Sequence, residues 1–113
     1  MRPAEESTRK VSVPGLKVAA FGPFGSFEVN PSLTLARRVF EDVEELEVAF
    51  AFVDAWLDRI RDEDWTALLV IGVDGKAEAL RLETLGRNVV AALPDVRGEV
   101  RGPGKIDPLA PDA

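Results

Sequence analysis

The sequence predicts an α/β fold of three layers, with helices on both faces of a mixed, mainly parallel sheet. Two short apolar runs, residues 16–21 and 67–73, read as strands, and the second is apolar throughout, as a strand covered on both faces must be. Between them the apolar spacing changes twice to the helical period, so the order strand, helix, strand, helix, strand emerges, which is the order of a parallel sheet.

Each element has a local reason. Residues 1–15 carry Pro3, Pro14 and Gly15 among charged side chains, with only Val11 and Val13 as pattern. They read as a flexible leader or a weak edge strand, disordered to about Val11, ahead of a domain spanning 16–113. The run Leu16-Lys17-Val18-Ala19-Ala20-Phe21 is the first core strand and stops at Gly22-Pro23. Asn30 followed by Pro31 is a helix start: an asparagine cap, then a proline whose missing N–H costs nothing at the first helical position. Leu33, Ala36, Val39 and Phe40 then mark one helical face to about Asp42. An acidic run over 41–47 leads into residues 46–53, whose aromatic and β-branched content predicts a second strand, after which Asp54 is placed to cap a short helix bearing Trp56, Leu57 and Ile60. Past Gly72, residues 79–85 alternate apolar with polar and are read first as a half-exposed strand, a helix over 78–92 being the alternative. Beyond Pro94 the glycines and prolines predict loop or an irregular hairpin.

Composition excludes much. With 113 residues the chain is one modest domain, and 14 basic against 20 acidic residues give a formal charge of -6, which repels phosphate backbones and anionic headgroups. Neither nucleic acid nor membrane is therefore expected as a partner. The absence of cysteine and histidine removes disulfides, thiol or imidazole catalysis and Cys/His metal sites. The groups Glu41, Asp42, Glu44, Glu45, Glu47 and Asp58, Asp62, Glu63, Asp64 read as solvated acidic faces, so no metal and no cofactor is expected. The polar start lacks a signal-peptide core, and the expected location is cytoplasmic.

The segment Phe21-Gly22-Pro23-Phe24-Gly25 lies where a strand passes into a loop before a helix, the position at which open α/β sheets bind ligands. It has neither the glycine spacing nor the Lys-Ser or Lys-Thr pair of a phosphate-binding loop. Alone, its two phenylalanines read first as core filling. Glu83 is an acid inside an apolar segment, Leu80-x-Leu82-Glu83-x-Leu85, which fits either a solvent-facing strand position or a functional carboxylate.

In order and spacing, residues 17–25 followed by Val29-Asn30-Pro31-Ser32, and then residues 72–88, resemble the pyroglutamyl peptidase I (pyrrolidone-carboxylate peptidase) family, whose members remove an N-terminal pyroglutamyl residue from peptides. The resemblance implies the N-terminal half of that family's phosphorylase/hydrolase-like α/β fold. It also implies roles by position: Phe21 and Phe24 as the aromatic pair enclosing the pyrrolidone ring, Asn30 as the binding-loop asparagine, and Glu83 as the acid orienting the catalytic histidine of a Cys-His-acid set. The family's cysteine and histidine lie beyond the acid, and this sequence has no counterpart for them. Ala20, Thr84 and the segment Ala92-Leu93-Pro94-Asp95 also depart from the family pattern, losing a glycine and two arginines. Ser26, Ser32 and Thr84 are the nearest hydroxyls to the implied pocket, and a base for them would have to be a carboxylate or Lys76. The expectation is a chain inactive alone, a pyroglutamyl peptide as possible ligand, and either a homo-oligomer or a separate C-terminal segment as partner to cover the open sheet edge. The alternative is a non-catalytic binding or structural subunit.

Overall fold

The computed structural model describes residues 9–74, 76 and 79–113. Two compact units divide the chain, one ending at Val73 and the other starting at Asp74. The first unit contains β1 (Leu16–Phe21), α1 (Pro31–Val39), β2 (Glu44–Leu46), α2 (Phe50–Ile60) and β3 (Ala67–Ile71). Its sheet has the order β2-β1-β3, and both pairings are parallel. The α/β expectation therefore holds, and the three described strands all run the same way.

The sheet topology follows from handedness. The chain steps from β1 to β2 on one side and then from β2 across to β3 on the other. Right-handed crossovers in opposite directions must leave the sheet by opposite faces. Accordingly Ala20 packs with Leu33 and Ala36 of α1, with Val43 and Ile71 against them, while Ala19 packs with Leu46 and with Trp56 and Ile60 of α2. Ala19 and Ala20 are fully buried, and alanine on both faces of the central strand lets the two helix layers approach closely.

Helix α1 starts as its sequence predicts. Asn30 is the N-cap, its Oδ1 accepting from the Ser32 N–H at 2.9 Å, with Pro31 just inside the helix. Arg37 and Arg38 lie in the last turn, where cations complement the helix dipole. The second strand is a correction. The strand expected over 46–53 ends at Leu46, and α2 begins at Phe50 with Ala49 as N-cap and no side-chain cap, so Asp54 lies inside the helix. Ala49, Phe52, Trp56 and Ile60 recur at helical spacing and give the segment one apolar stripe against the core. That stripe outweighs the β-propensity of its aromatic and branched residues.

Residues 1–8 of the expected leader lie outside the described residues. Val11 forms a parallel bridge to Phe40, its N–H donating to the Val39 carbonyl at 2.7 Å, and the Gly15 carbonyl accepts from the N–H groups of Thr66 and Ala67.

The second unit has no helix and no laddered strand among its described residues, so neither the strand over 79–85 nor the alternative helix over 78–92 forms there. Leu80 and Leu82 are both more than four-fifths exposed: without a neighbouring strand to hydrogen-bond, alternation has no face to bury. Beyond Pro94 the described chain is loop, with a turn in which the Asp95 N–H donates to the Glu99 carbonyl, and Gly104 exchanges backbone hydrogen bonds with Val90, which precedes Pro94. Asn88 ties the C-terminal loop, its Nδ2 donating to the carbonyls of Asp107 and Ala110 and its Oδ1 accepting from the Asp107 N–H. Among the described residues, no helix is long and apolar enough to cross a membrane.

Candidate functional site

Ligands of open α/β sheets bind outside the carboxyl ends of the strands, at the switch point where the chain's connections turn from one side of a strand to the other. In the first unit that position is flanked by Phe21-Gly22 after β1 and Ile71-Gly72 at the end of β3. The connection of residues 22–30 supplies the loop at this end.

The loop is closed at both ends. The Gly22 N–H donates to the Leu46 carbonyl at 2.8 Å, extending the β1–β2 ladder by one bond. The Asn30 Nδ2 donates back to the Gly22 carbonyl at 2.9 Å, and its Oδ1 accepts from the Ser32 N–H and, at 2.7 Å, from the Ser32 hydroxyl. With Asn30 only 1% exposed, its side chain is the fastener joining the mouth of the loop to the start of α1. A loop of this size with adjoining ends, packed by its own side chains, is a frequent carrier of function.

Inside it lies a tight turn. Phe24 and Phe27 exchange backbone hydrogen bonds, N–H to carbonyl, at 3.2 and 2.8 Å, with Gly25 and Ser26 between them. Gly25 has φ +53°, the left-handed conformation that such two-residue turns need and that glycine adopts without strain. The two rings sit on one side of the turn with centroids 5.3 Å apart and planes inclined by 39°. Phe21, the other aromatic singled out by sequence, packs instead against the α2-facing core, with Gly72 beside its ring. Phe27 escapes a reading of the sequence that stops at Phe24, although Phe-Gly-Ser-Phe is itself a legible turn with aromatic flanks.

Glu83 belongs to the second unit. It is exposed and bonded to Arg81 at 2.7 Å, and Arg81 also lies 4.0 Å from Asp74. The Glu83 hydrogen bond, with the charges of Glu83 and Asp74, raises the guanidinium above its ordinary pKa.

A charged cluster lies at the opposite end of the sheet. Lys17 reaches Glu44 at 2.6 Å and Glu63 at 2.7 Å, and Arg59 reaches the same two acids at 2.6 and 2.9 Å. The Trp56 indole N–H donates to Glu44 at 2.6 Å. Partial burial works to raise the Glu44 pKa, but hydrogen bonds from Lys17, Arg59 and Trp56 outweigh it and hold the carboxyl at about 2. Burial likewise opposes the Lys17 ammonium, and its two acidic partners push its pKa upward overall. Glu44 is thus a structural hub, a correction to the solvated acidic face that its neighbours in sequence suggest. A cavity of about 420 Å³ opens here, lined in part by Lys17, Asp42, Glu63 and Trp65. It sits at the amino ends of the strands, away from the switch point, and Glu44 and Glu63 in its lining are already paired with Lys17 and Arg59.

No family model matches the chain, and no solved structure matches it. Pyrrolidone-carboxylate peptidase 1 of Caldanaerobacter subterraneus subsp. tengcongensis is 31% identical over 105 residues, covering 85% of this chain and 52% of the relative. The chain therefore spans about half the length of the curated relative it matches. By that similarity, and with an α/β fold consistent with it, the chain resembles about half of a pyrrolidone-carboxylate peptidase at a divergent level of identity.

Proposed function

We propose that residues 22–30 form a recognition loop for a flat five-membered lactam, the pyroglutamyl group, and that this chain by itself binds the group without cleaving it. The observation that carries the reading is the loop's construction: an aromatic pair on a two-residue turn, pinned by a buried asparagine at the switch point of a parallel sheet. Similarity to a protein named for pyrrolidone carboxylate supports the choice of ligand. A planar lactam offers apolar edges and faces suited to stacking on phenylalanine. Asn30 serves by holding the loop, since its acceptor oxygen is engaged by Ser32.

Peptide cleavage would require an activated nucleophile, a base and an oxyanion environment. With no cysteine or histidine in the sequence, Glu83 has no imidazole here to orient, and the nearby hydroxyls have no histidine base. Titration of the purified chain with L-pyroglutamyl amide, followed by NMR, tests the reading. Shifts confined to residues 21–30 and lost in Phe24→Ala support it, and absence of any shift overturns it.

A second reading, association through exposed apolar side chains, is favoured by Leu80, Leu82 and Leu109, each more than four-fifths exposed. The proposed partner is a second copy of the chain or a polypeptide corresponding to the unmatched half of the relative, in a cytoplasmic setting. Light scattering tests the first form: a mass above the 12.3 kDa monomer supports self-association, and a mass at 12.3 kDa argues against it.

A further inference from the structure

We propose that Phe27 is a positioning residue of the lactam site, holding the Phe24 ring so that one face is covered and the other is offered to the ligand. The inference rests on the ring-binding reading above and deepens it, because Phe27 lies outside the positions that the family resemblance singles out.

The geometry decides what the pair can do. A ring inserted between two others needs a carbon contact of about 3.5 Å on each side, hence roughly 7 Å between the outer rings. Phe24 and Phe27 stand 5.3 Å apart and inclined, which is direct aromatic contact with no space for a third ring. A lactam therefore cannot be sandwiched between them. It can stack on the remaining face of Phe24, with Phe27 as the wall behind.

The backbone shows why the wall is rigid. Residues that exchange both hydrogen bonds across a tight turn project their side chains on the same side, so the turn itself sets the two rings together. Gly25 and Ser26 at the tip are exposed, whereas Phe24 and Phe27 are half-buried, so the contact between the rings shields apolar surface that the exposed tip cannot. Asn30 closes the loop behind this turn by its bond to Gly22. A phenylalanine held in one orientation before the ligand arrives loses less rotamer freedom on binding. Without Phe27, Phe24 would have to be ordered by the ligand.

The test uses L-pyroglutamyl amide as probe and N-acetylalaninamide as an acyclic amide control, with dissociation constants measured by NMR on the full chain. Replacing Phe27 by alanine is expected to weaken lactam binding about three- to tenfold and leave the control unchanged, while Phe27→Tyr restores affinity to within about twofold. Should Phe27→Ala lose its dispersed spectrum, Phe27→Leu keeps apolar volume without a flat ring and is expected to show the same selective loss. Undiminished lactam affinity in a folded Phe27→Ala or Phe27→Leu overturns the inference, and so does a loss that Tyr fails to restore. Failure of the unaltered chain to bind overturns the ring-binding reading together with this one. That case is recognised because Phe24→Ala and the unaltered chain then behave alike.

Discussion

Replacing Glu44 by glutamine removes one charge from the cluster that joins β1, β2 and α2 while keeping an acceptor for Trp56. The carboxyl falls from its ordinary 4.5 to about 2 in the folded chain, so the unfolded chain takes up the proton first on acidification. The stabilisation is therefore complete above about pH 4.5 and lost as pH falls toward 2. Converted directly, the shift is worth about 3 kcal/mol. With the Glu44 side chain 30% exposed and Arg59 56% exposed, solvent screening reduces this to about 1–2 kcal/mol. Urea unfolding followed by the fluorescence of Trp56 and Trp65, both in the first unit, measures it. Glu44→Gln is expected to be less stable than the unaltered chain by about 1–2 kcal/mol at pH 7 and by only about a quarter of that at pH 2.5. Glu44→Ala also strands the indole N–H of Trp56, itself 5% exposed, adding a further penalty of about 1–3 kcal/mol. A Glu44→Gln deficit of the same size at both pH values would refute the reasoning.

Other positions give sharper contrasts. Asn30→Ala removes both the helix cap and the bond closing the loop and is expected to cost about 2 kcal/mol in chemical unfolding, with the loop amides losing their protection from exchange. Gly25→Ala places a side chain at φ +53° with no atom nearby, so strain alone should cost about 1 kcal/mol by the same measurement. A methyl group at Gly102 would instead run into the backbone carbonyls of Val90 and Ala91, so Gly102→Ala is expected to disrupt the second unit's amide spectrum while the β1–β3 resonances persist. Glu83→Ala, on an exposed side chain, should change stability by less than about 0.5 kcal/mol.

The elements best marked in the sequence are those whose signals are local. Asn30-Pro31 specifies a helix start through two independent mechanisms, and the apolar run of β1 leaves one reading for a buried strand. Residues 46–53 mislead because they satisfy strand propensity and helical periodicity together, and only burial of Ala49, Phe52 and Trp56 on one side decides between them. The alternation over 79–85 misleads differently: it describes a strand that would need a neighbour, and the described chain provides none. Site residues follow the same division. Asn30 is legible as a cap, and its position makes it the loop's fastener as well. The pairing of Phe24 with Phe27 depends on a turn of four residues, whereas the hub at Glu44 depends on Lys17 and Glu63, which are 46 residues apart and meet only through the β1–β3 register.

Release of the amine from a fluorogenic pyroglutamyl amide by the highly purified 113-residue chain tests the central claim most directly, because binding without cleavage is what an aromatic loop lacking cysteine and histidine partners should do. The expected result is no turnover above the enzyme-free blank between pH 5 and pH 9, roughly the span over which a histidine or thiol would titrate. Turnover that survives repeated purification and disappears in Glu83→Ala would contradict it.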